Sequence, residues 1–360
     1  MYKQLLTGTF ILMLGLIASC SRQNEEISVP EIEAPSISEE TLTEAGTQLW
    51  NQSGLVIEKH IEMVELLDSA IKQFIATPSE ETHQTAKKQW RELDQVNSDF
   101  YLISQLAENA PPALTSFKSL NYRLFAAPIQ PGYLDSFGEY LYSGLVHDIG
   151  LPITPETLGN QHGFADEESA TLGLYAIEFM LFGDDGQRQY SDYVESLKLT
   201  PDEIEKGYKL LAETPNNRRR QLLELQSQLL VMDFNQLAEQ WNSQKKDDLN
   251  RKYYLLDNTE KQAWVSQTLE KSLTNLILDI SEQKQRADQG EENSTWAPRM
   301  LNKISSLLPA LSFLPKEQKS LVEPSLNKAI ESCNQTTEIK WDDLYNSIKG
   351  AVDSFHQLDQ

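Results

Sequence analysis

An all-α fold is what this sequence predicts, and three observations predict it. Apolar residues recur at steps of three, four and seven over long stretches, as one face of a helix requires. Acidic residues follow Ser, Thr or Pro where several of these stretches begin, as at helix N-termini. Alternating β-branched runs joined by hairpin turns are hard to find.

The periodicity is clearest in Leu223, Leu230, Phe234, Leu237 and Trp241, and again in Val265, Leu269, Leu276 and Ile280. Pro78-Ser79-Glu80-Glu81 and Thr200-Pro201-Asp202-Glu203 read as helix starts, with acids against the positive end of the helix dipole. At 360 residues the chain can build one large or two ordinary domains with real cores. The simplest architecture is two antiparallel helical bundles, spanning 41–245 and 246–360, divided in the polar stretch Asn242 to Asn250.

The N-terminus has a different character. Lys3 precedes a mostly apolar run from Leu5 to Ile17, and Ala18-Ser19-Cys20 places small residues directly before a cysteine. A run this short is a signal-peptide core and not a retained span. The order predicts a lipoprotein signal over residues 1–19, with Cys20 carrying the lipid. Residues 20–40 are rich in Ser, Glu, Asn and Pro and read as a flexible tether. Cys333 is then left without a partner, and a buried apolar thiol is the expectation.

Charge excludes one class of partner. The chain carries 54 Asp and Glu against 31 Lys and Arg, a formal net charge of −23. Nucleic acid needs clustered cations and is a poor partner, whereas cations and basic partners are attracted.

The segment of about 126–165 resists helical periodicity, since its Gly and Pro residues break helices, while its Tyr, Leu and Ile content predicts a packed loop. It leads to Leu172-Gly173-Leu174-Tyr175-Ala176-Ile177-Glu178-Phe179-Met180-Leu181-Phe182, ended by Gly183. This stretch is apolar on every side, as buried helices are, and Glu178 is its sole charge. A lone buried carboxylate must take a proton, pair with a cation such as one of Arg218-Arg219-Arg220, or bind a metal. Tyr175 lies one turn away on the same face.

The run Gln130-Pro131-Gly132-Tyr133-Leu134-Asp135, then Tyr142-Ser143-Gly144, Leu151-Pro152, Gln161-His162-Gly163 and Gly173-x-x-Ala176-Ile177-Glu178-Phe179, resembles the imelysin family. Arg188-Gln189-Tyr190-Ser191-Asp192-Tyr193 and the Arg218-Arg219-Arg220 helix start extend the likeness, in the family's order, over about 128–241. The resemblance implies two helical bundles with a cleft between them, a cell-envelope setting, often lipid-anchored, and an association with iron uptake. The family is also catalogued among metallopeptidases. Its signature is Gly-x-His-x-x-Glu, proposed to hold a metal. Gly173 and Glu178 match, but Tyr175 stands at the histidine position.

That departure matters chemically. Imidazole suits iron, zinc and copper, while phenolate suits mainly ferric iron and must first lose its proton. The site is either shifted toward Fe(III) and hard oxygen donors or has lost metal binding. His147, Asp148 and His162 precede the helix and are further candidates to reach the metal through the loop, though each also reads as a loop-stabilising side chain.

Direct signs of catalysis are weak. The sequence has no His-Glu-x-x-His, no Gly-x-Ser-x-Gly elbow and no phosphate-binding Gly-rich loop with Lys. Glu80-Glu81-Thr82-His83 is a single Glu-x-x-His, short of what a di-iron bundle needs. The expectation is a lipid-anchored envelope protein, on the periplasmic face of the outer membrane, that binds metal, an iron complex or an envelope partner. A metallopeptidase, or a docking module that has lost its site, is the alternative.

Overall fold

Helix caps set the frame. The computed structural model describes residues 37–184, 186–290, 296–334 and 340–357. The signal segment, Cys20 and nearly all of the tether lie outside them. Helix α1 (Glu39–Ala76) starts at Ser38, whose hydroxyl accepts the Thr41 amide, and α2 (Glu80–Asn97) starts at a reciprocal Ser79–Thr82 capping box. Next come α3 (Tyr101–Glu108), α4 (Thr115–Phe125) and the short α5 (Pro131–Leu134) and α6 (Pro155–Gln161). They are followed by α7 (Leu174–Phe182), α8 (Pro201–Glu205), α9 (Pro215–Asn242), α10 (Leu249–Leu255) and α11 (Asn258–Asp288). The order closes with α12 (Trp296–Leu307), α13 (Lys316–Cys333) and α14 (Trp341–Gln357).

The fold is all-α, as expected, and no strand is present among the described residues. Thr200 does cap a helix, but α8 ends after one turn, before Gly207 at a positive φ of 94°. No helix among the described residues is long and apolar enough to cross a membrane.

Two sets of helices share one body. In the first, α1 packs on α2 and α9, with α4 and α7 laid against α9, and the second packs α11 to α14 together. Helices α1 and α9 run antiparallel, and their faces lock where the Trp50 and Trp241 rings stack 3.7 Å apart. Each indole N–H donates to the other residue's carbonyl, at 3.1 and 3.0 Å. The buried pair thus satisfies its polar atoms from within.

The polar stretch expected to divide two bundles instead packs onto the first. Asn250 donates to the Trp241 carbonyl at 2.7 Å, and Tyr253 on α10 donates to the Gly46 carbonyl at 2.8 Å. The described residues form one compact unit. Trp264 of α11 donates to Leu106 of α3, and α12 packs on the Ser98–Phe100 turn that follows α2. Cys333 is buried, and desolvation pushes its thiol up to about 12, so it stays unreactive.

The segment of about 126–165, irregular apart from the short α5 and α6, is ordered by one carboxylate and three arginines. Asp135 has no exposed surface. It accepts from Arg188 at 2.7 Å, from Arg219 at 2.5 and 3.1 Å, and from the Ser136 amide at 2.7 Å, with His147 Nε2 at 3.3 Å. Burial by itself would raise its pKa, but His147 and the two guanidiniums outweigh that and hold it well below the usual carboxylate range. Beside it, Arg218 donates to the carbonyls of Leu145, Val146, Asp148 and Leu151. Gly144, at φ +79°, lies against the Leu134–Asp135 peptide, where a Cβ would collide with backbone atoms. The loop is therefore wound around side chains that the α9 start delivers.

Asp135→Asn leaves two buried guanidiniums without a counter-charge and is expected to cost about 3–5 kcal/mol in urea unfolding. Because its folded pKa is depressed, the stability Asp135 supplies is complete at neutral pH. It is lost as pH falls through the folded value, so the wild-type and variant stabilities converge in strong acid.

Candidate functional site

The apolar helix α7 is placed by hydrogen bonds to its own carbonyls. Trp90 on α2 donates to Leu174 at 2.9 Å, His83 Nε2 contacts the Leu181 carbonyl at 2.9 Å, and buried Tyr193 donates to Met180. Just before the helix, Gln226 of α9 donates to Thr171 at 2.9 Å. Gly173, at φ +95°, lets the entry press against the end of α4, since a Cβ there would lie 2.8 Å from the Arg123 and Leu124 carbonyl oxygens. The signature glycine thus has a steric role.

With α7 held on three sides, Glu178 faces the fourth. It is half-buried and lines a cavity of about 450 Å³ together with Ile129, Tyr175, Phe179, Phe182 and Asp184. Among the described residues no hydrogen bond or ion pair reaches its carboxyl. Arg218, Arg219 and Arg220 are all engaged elsewhere, on loop carbonyls, Asp135 and the Tyr193 carbonyl. Pairing with one of these arginines, which the sequence left open, is therefore not made.

The neighbouring charges come from both sets of helices. Asp94 on α2, almost fully buried, forms an ion pair with Arg299 on α12. Burial, and then the Asp94 charge, push Glu178 up to about 7, against a smaller opposing pull from Arg299. Asp94 is itself raised by burial against the pull of Arg299 and Lys303. One guanidinium thus serves two carboxyls, and a proton relieves the excess negative charge. Lys303 is held by Asp279 at 2.7 Å.

Tyr175 is held differently from a metal ligand. Its hydroxyl receives the Asn97 amide at 3.4 Å, and burial, then Asp94, push it up to about 12. A phenol so resistant to ionisation is a poor iron ligand at neutral pH.

The other candidates lie apart from this cavity. His147 sits on Asp135 and near the Tyr208 hydroxyl at 3.4 Å. Asp148 caps its own turn by accepting the Gly150 amide at 2.9 Å. His162 packs on the Tyr122 ring, and its Nδ1 accepts the Thr171 and Leu172 amides at 3.2 and 3.3 Å. Burial, and then Arg123, lower it to about 4, so the ring is neutral with its proton on Nε2. Coordination through Nε2 would turn an N–H at Nδ1 against two backbone donors. All three act as loop-stabilising side chains here.

The residues present do not fit a bare metal ion. Among the described residues no group of three or more His, Cys, Asp or Glu side chains is arranged to hold one. Glu178 supplies a single free carboxyl, and Asp184 accepts the Gly138 amide at 3.1 Å. Sequence reading missed Asp94, Asn97 and Arg299, which lie 80 or more positions from Glu178 or on another helix set and follow no motif. Asp135 and Arg188 stood inside the quoted motifs, where an order-making role was the available signal.

A family model described as imelysin matches residues 59–357, and the chain belongs to the imelysin family. No curated protein matches. The chain is similar in fold to the crystal structure of a protein described as an iron-regulated protein A precursor from Parabacteroides distasonis. The TM-score is 0.52 at 12% identity, over 91% of this chain and 94% of that one. At that identity the likeness establishes the fold alone.

Glu178 binds a proton more tightly folded than unfolded, so its ionisation destabilises the protein as pH rises from the ordinary carboxyl range through about 7. Glu178→Gln removes that penalty. The melting temperature of the variant should gain on wild type steadily between pH 5 and pH 8; a constant difference would show that Glu178 does not titrate there.

Proposed function

We propose that this imelysin-family protein is a lipid-anchored, non-catalytic cell-envelope protein that takes part in iron acquisition by binding an iron complex in the Glu178 cavity. One observation carries this reading: a carboxyl on an otherwise apolar helix opens, without an ion-pair or hydrogen-bond partner among the described residues, onto a cavity of about 450 Å³. That volume lies in the range that small organic ligands fill. The donor set favours iron that arrives with its own chelating groups, which Glu178 would contact as one acceptor. The fold neighbour's description as iron-regulated supports the iron context. The signal-like run ending at Cys20 supports the anchor, and Ser21 after it is permissive for the outer membrane.

A second reading, hydrolysis of peptides, has one observation in its favour. A carboxyl titrating near 7 in an open cavity is matched to proton transfer at neutral pH. The other carboxylate at this cavity, Asp184, accepts the Gly138 amide, and a nucleophile or a metal ligand set there has no counterpart among the described residues.

Two measurements test the proposal. Radiolabelled fatty acid should be incorporated into the expressed protein and lost in Cys20→Ser; labelling that persists would remove the anchor. Titration of the purified protein with free Fe(III), Zn(II) and chelated Fe(III) should show at most one weak site for the free ions. Chelated iron should bind, and Glu178→Ala should weaken it about tenfold, the loss of one charge-assisted contact. Tight binding indifferent to Glu178→Ala would remove the site, and chelator-sensitive cleavage of casein would establish the hydrolytic reading.

A further inference from the structure

The lining of the Glu178 cavity decides what charge a ligand can carry into it. Among the described residues that lining holds two carboxyls, Glu178 and Asp184, and no Lys, Arg, His, Asn or Gln side chain. Its other polar side chain is the Tyr175 phenol, which burial keeps protonated. The rest is hydrocarbon, with Ile129, Phe179 and Phe182 the largest side chains.

The two carboxyls differ in what they have left to offer. Asp184 is exposed and already accepts the Gly138 amide at 3.1 Å. Glu178 is half-buried, and its oxygens have no partner among the described residues. Unlike the unpartnered Oδ1 of Asn97 and Oδ2 of Asp233, they are not sealed from solvent. The Glu178 carboxyl is therefore reachable from the space it lines. Nearby cations are placed elsewhere. Arg299 is paired with Asp94, Lys87 and Arg91 lie over the Phe182 ring, Arg188 lies over the Phe179 ring, and none of them lines the cavity.

This arrangement selects among ligands by charge. An anionic complex would bring its charge against two carboxyls with no cation in the lining to meet it. A neutral one leaves Glu178 without a counter-charge. An ammonium on a methylene stem satisfies both features of the cavity: it donates to a carboxylate in a charge-assisted bond, and its stem covers apolar wall. The formal net charge of −23 favours the approach of such a cation.

We propose that the Glu178 cavity takes iron complexes that carry a protonated primary amine, the ammonium donating to the Glu178 carboxylate and its methylene stem lying against Ile129, Phe179 and Phe182. This rests on the reading of the cavity as an iron-complex site and adds to it the charge of the ligand.

The test is calorimetric titration of the purified full-length protein at pH 8, where Glu178 is ionised and a primary amine is still protonated. Ferrioxamine B, a ferric trihydroxamate with a free aminopentyl arm, is compared with its N-acetyl derivative, which keeps the iron shell and loses the charge. Pentylamine probes the arm alone. Ferrioxamine B should bind at least about tenfold more tightly than the acetylated complex, and in Glu178→Gln the two should bind within about twofold of each other. Equal affinity of the two complexes for wild type, or a preference that survives Glu178→Gln, overturns the proposal and leaves the iron-complex reading in place. Because the first comparison is made on wild type, it does not depend on the variant folding. If neither complex binds, the iron-complex reading fails, and pentylamine decides what is left. Pentylamine binding that is lost in Glu178→Gln upholds the ammonium site; binding that is absent, or indifferent to the substitution, overturns it.

Discussion

Removing a carboxylate from water is so unfavourable that each buried acid in this protein must be answered by something, and the answers differ. Asp135 is met by two guanidiniums, an imidazole and a backbone amide, and remains ionised with no exposed surface. Asp94 and Glu178 share the field of a single arginine, Arg299, and the ion pair goes to Asp94. The first arrangement builds structure. The second leaves a carboxyl whose charge is undecided at neutral pH, and it is this one that opens onto a cavity.

The two arrangements are mechanically connected. Arg188 and Arg219, fixed by Asp135, tie the 133–146 loop to the start of α9 and to the segment of chain leaving α7. Arg188 also lies over the Phe179 ring, 5.8 Å from its centroid, one residue from Glu178. Meanwhile the carbonyls of α7 are claimed by Trp90, His83 and Tyr193, which set its rotation. An apolar helix has little amphipathic preference of its own. These polar clamps decide that Glu178, and not a hydrophobic neighbour, faces the cavity.

Much of this was legible in the sequence where physics is local. The 3.6-residue pattern of Leu223 to Trp241 and Val265 to Ile280 placed α9 and α11, and the buried positions match. The Ser79 and Thr200 caps marked real starts, but a cap states where a helix begins and not how long tertiary packing sustains it, which is why α8 stops at one turn. Glu178 stood out because its surroundings on the helix are close in sequence. The groups around it were not legible, since the Asp94–Arg299 pair, and Asn97 on the Tyr175 hydroxyl, are brought there only through packing of α2 and α12. His162 illustrates the reverse case. Its residue type suggested coordination, and the two backbone amides that consume its Nδ1 lone pair could be known only once the 169–172 turn was folded.

The contribution of the second helix set is best seen by asking what Glu178 would do without Asp94. Arg299 reaches over from α12 and would then have one carboxyl to meet, giving a closed salt bridge of the kind Arg123 and Asp233 form at 2.9 Å. With Asp94 almost fully buried and already holding the guanidinium, desolvation makes abandoning that pair costlier than leaving half-exposed Glu178 unpaired. Competition between two acids for one cation therefore keeps the cavity acid free. The tyrosine at the signature position remains a phenol first because it is buried and then because the nearby Asp94 charge opposes a further anion, and the Tyr175 hydroxyl receives the Asn97 amide. The Glu178 carboxyl has acceptor capacity left for a hydrogen-bond donor or a positively charged group, and among the described residues it belongs to no set of side chains that would surround a bare ion.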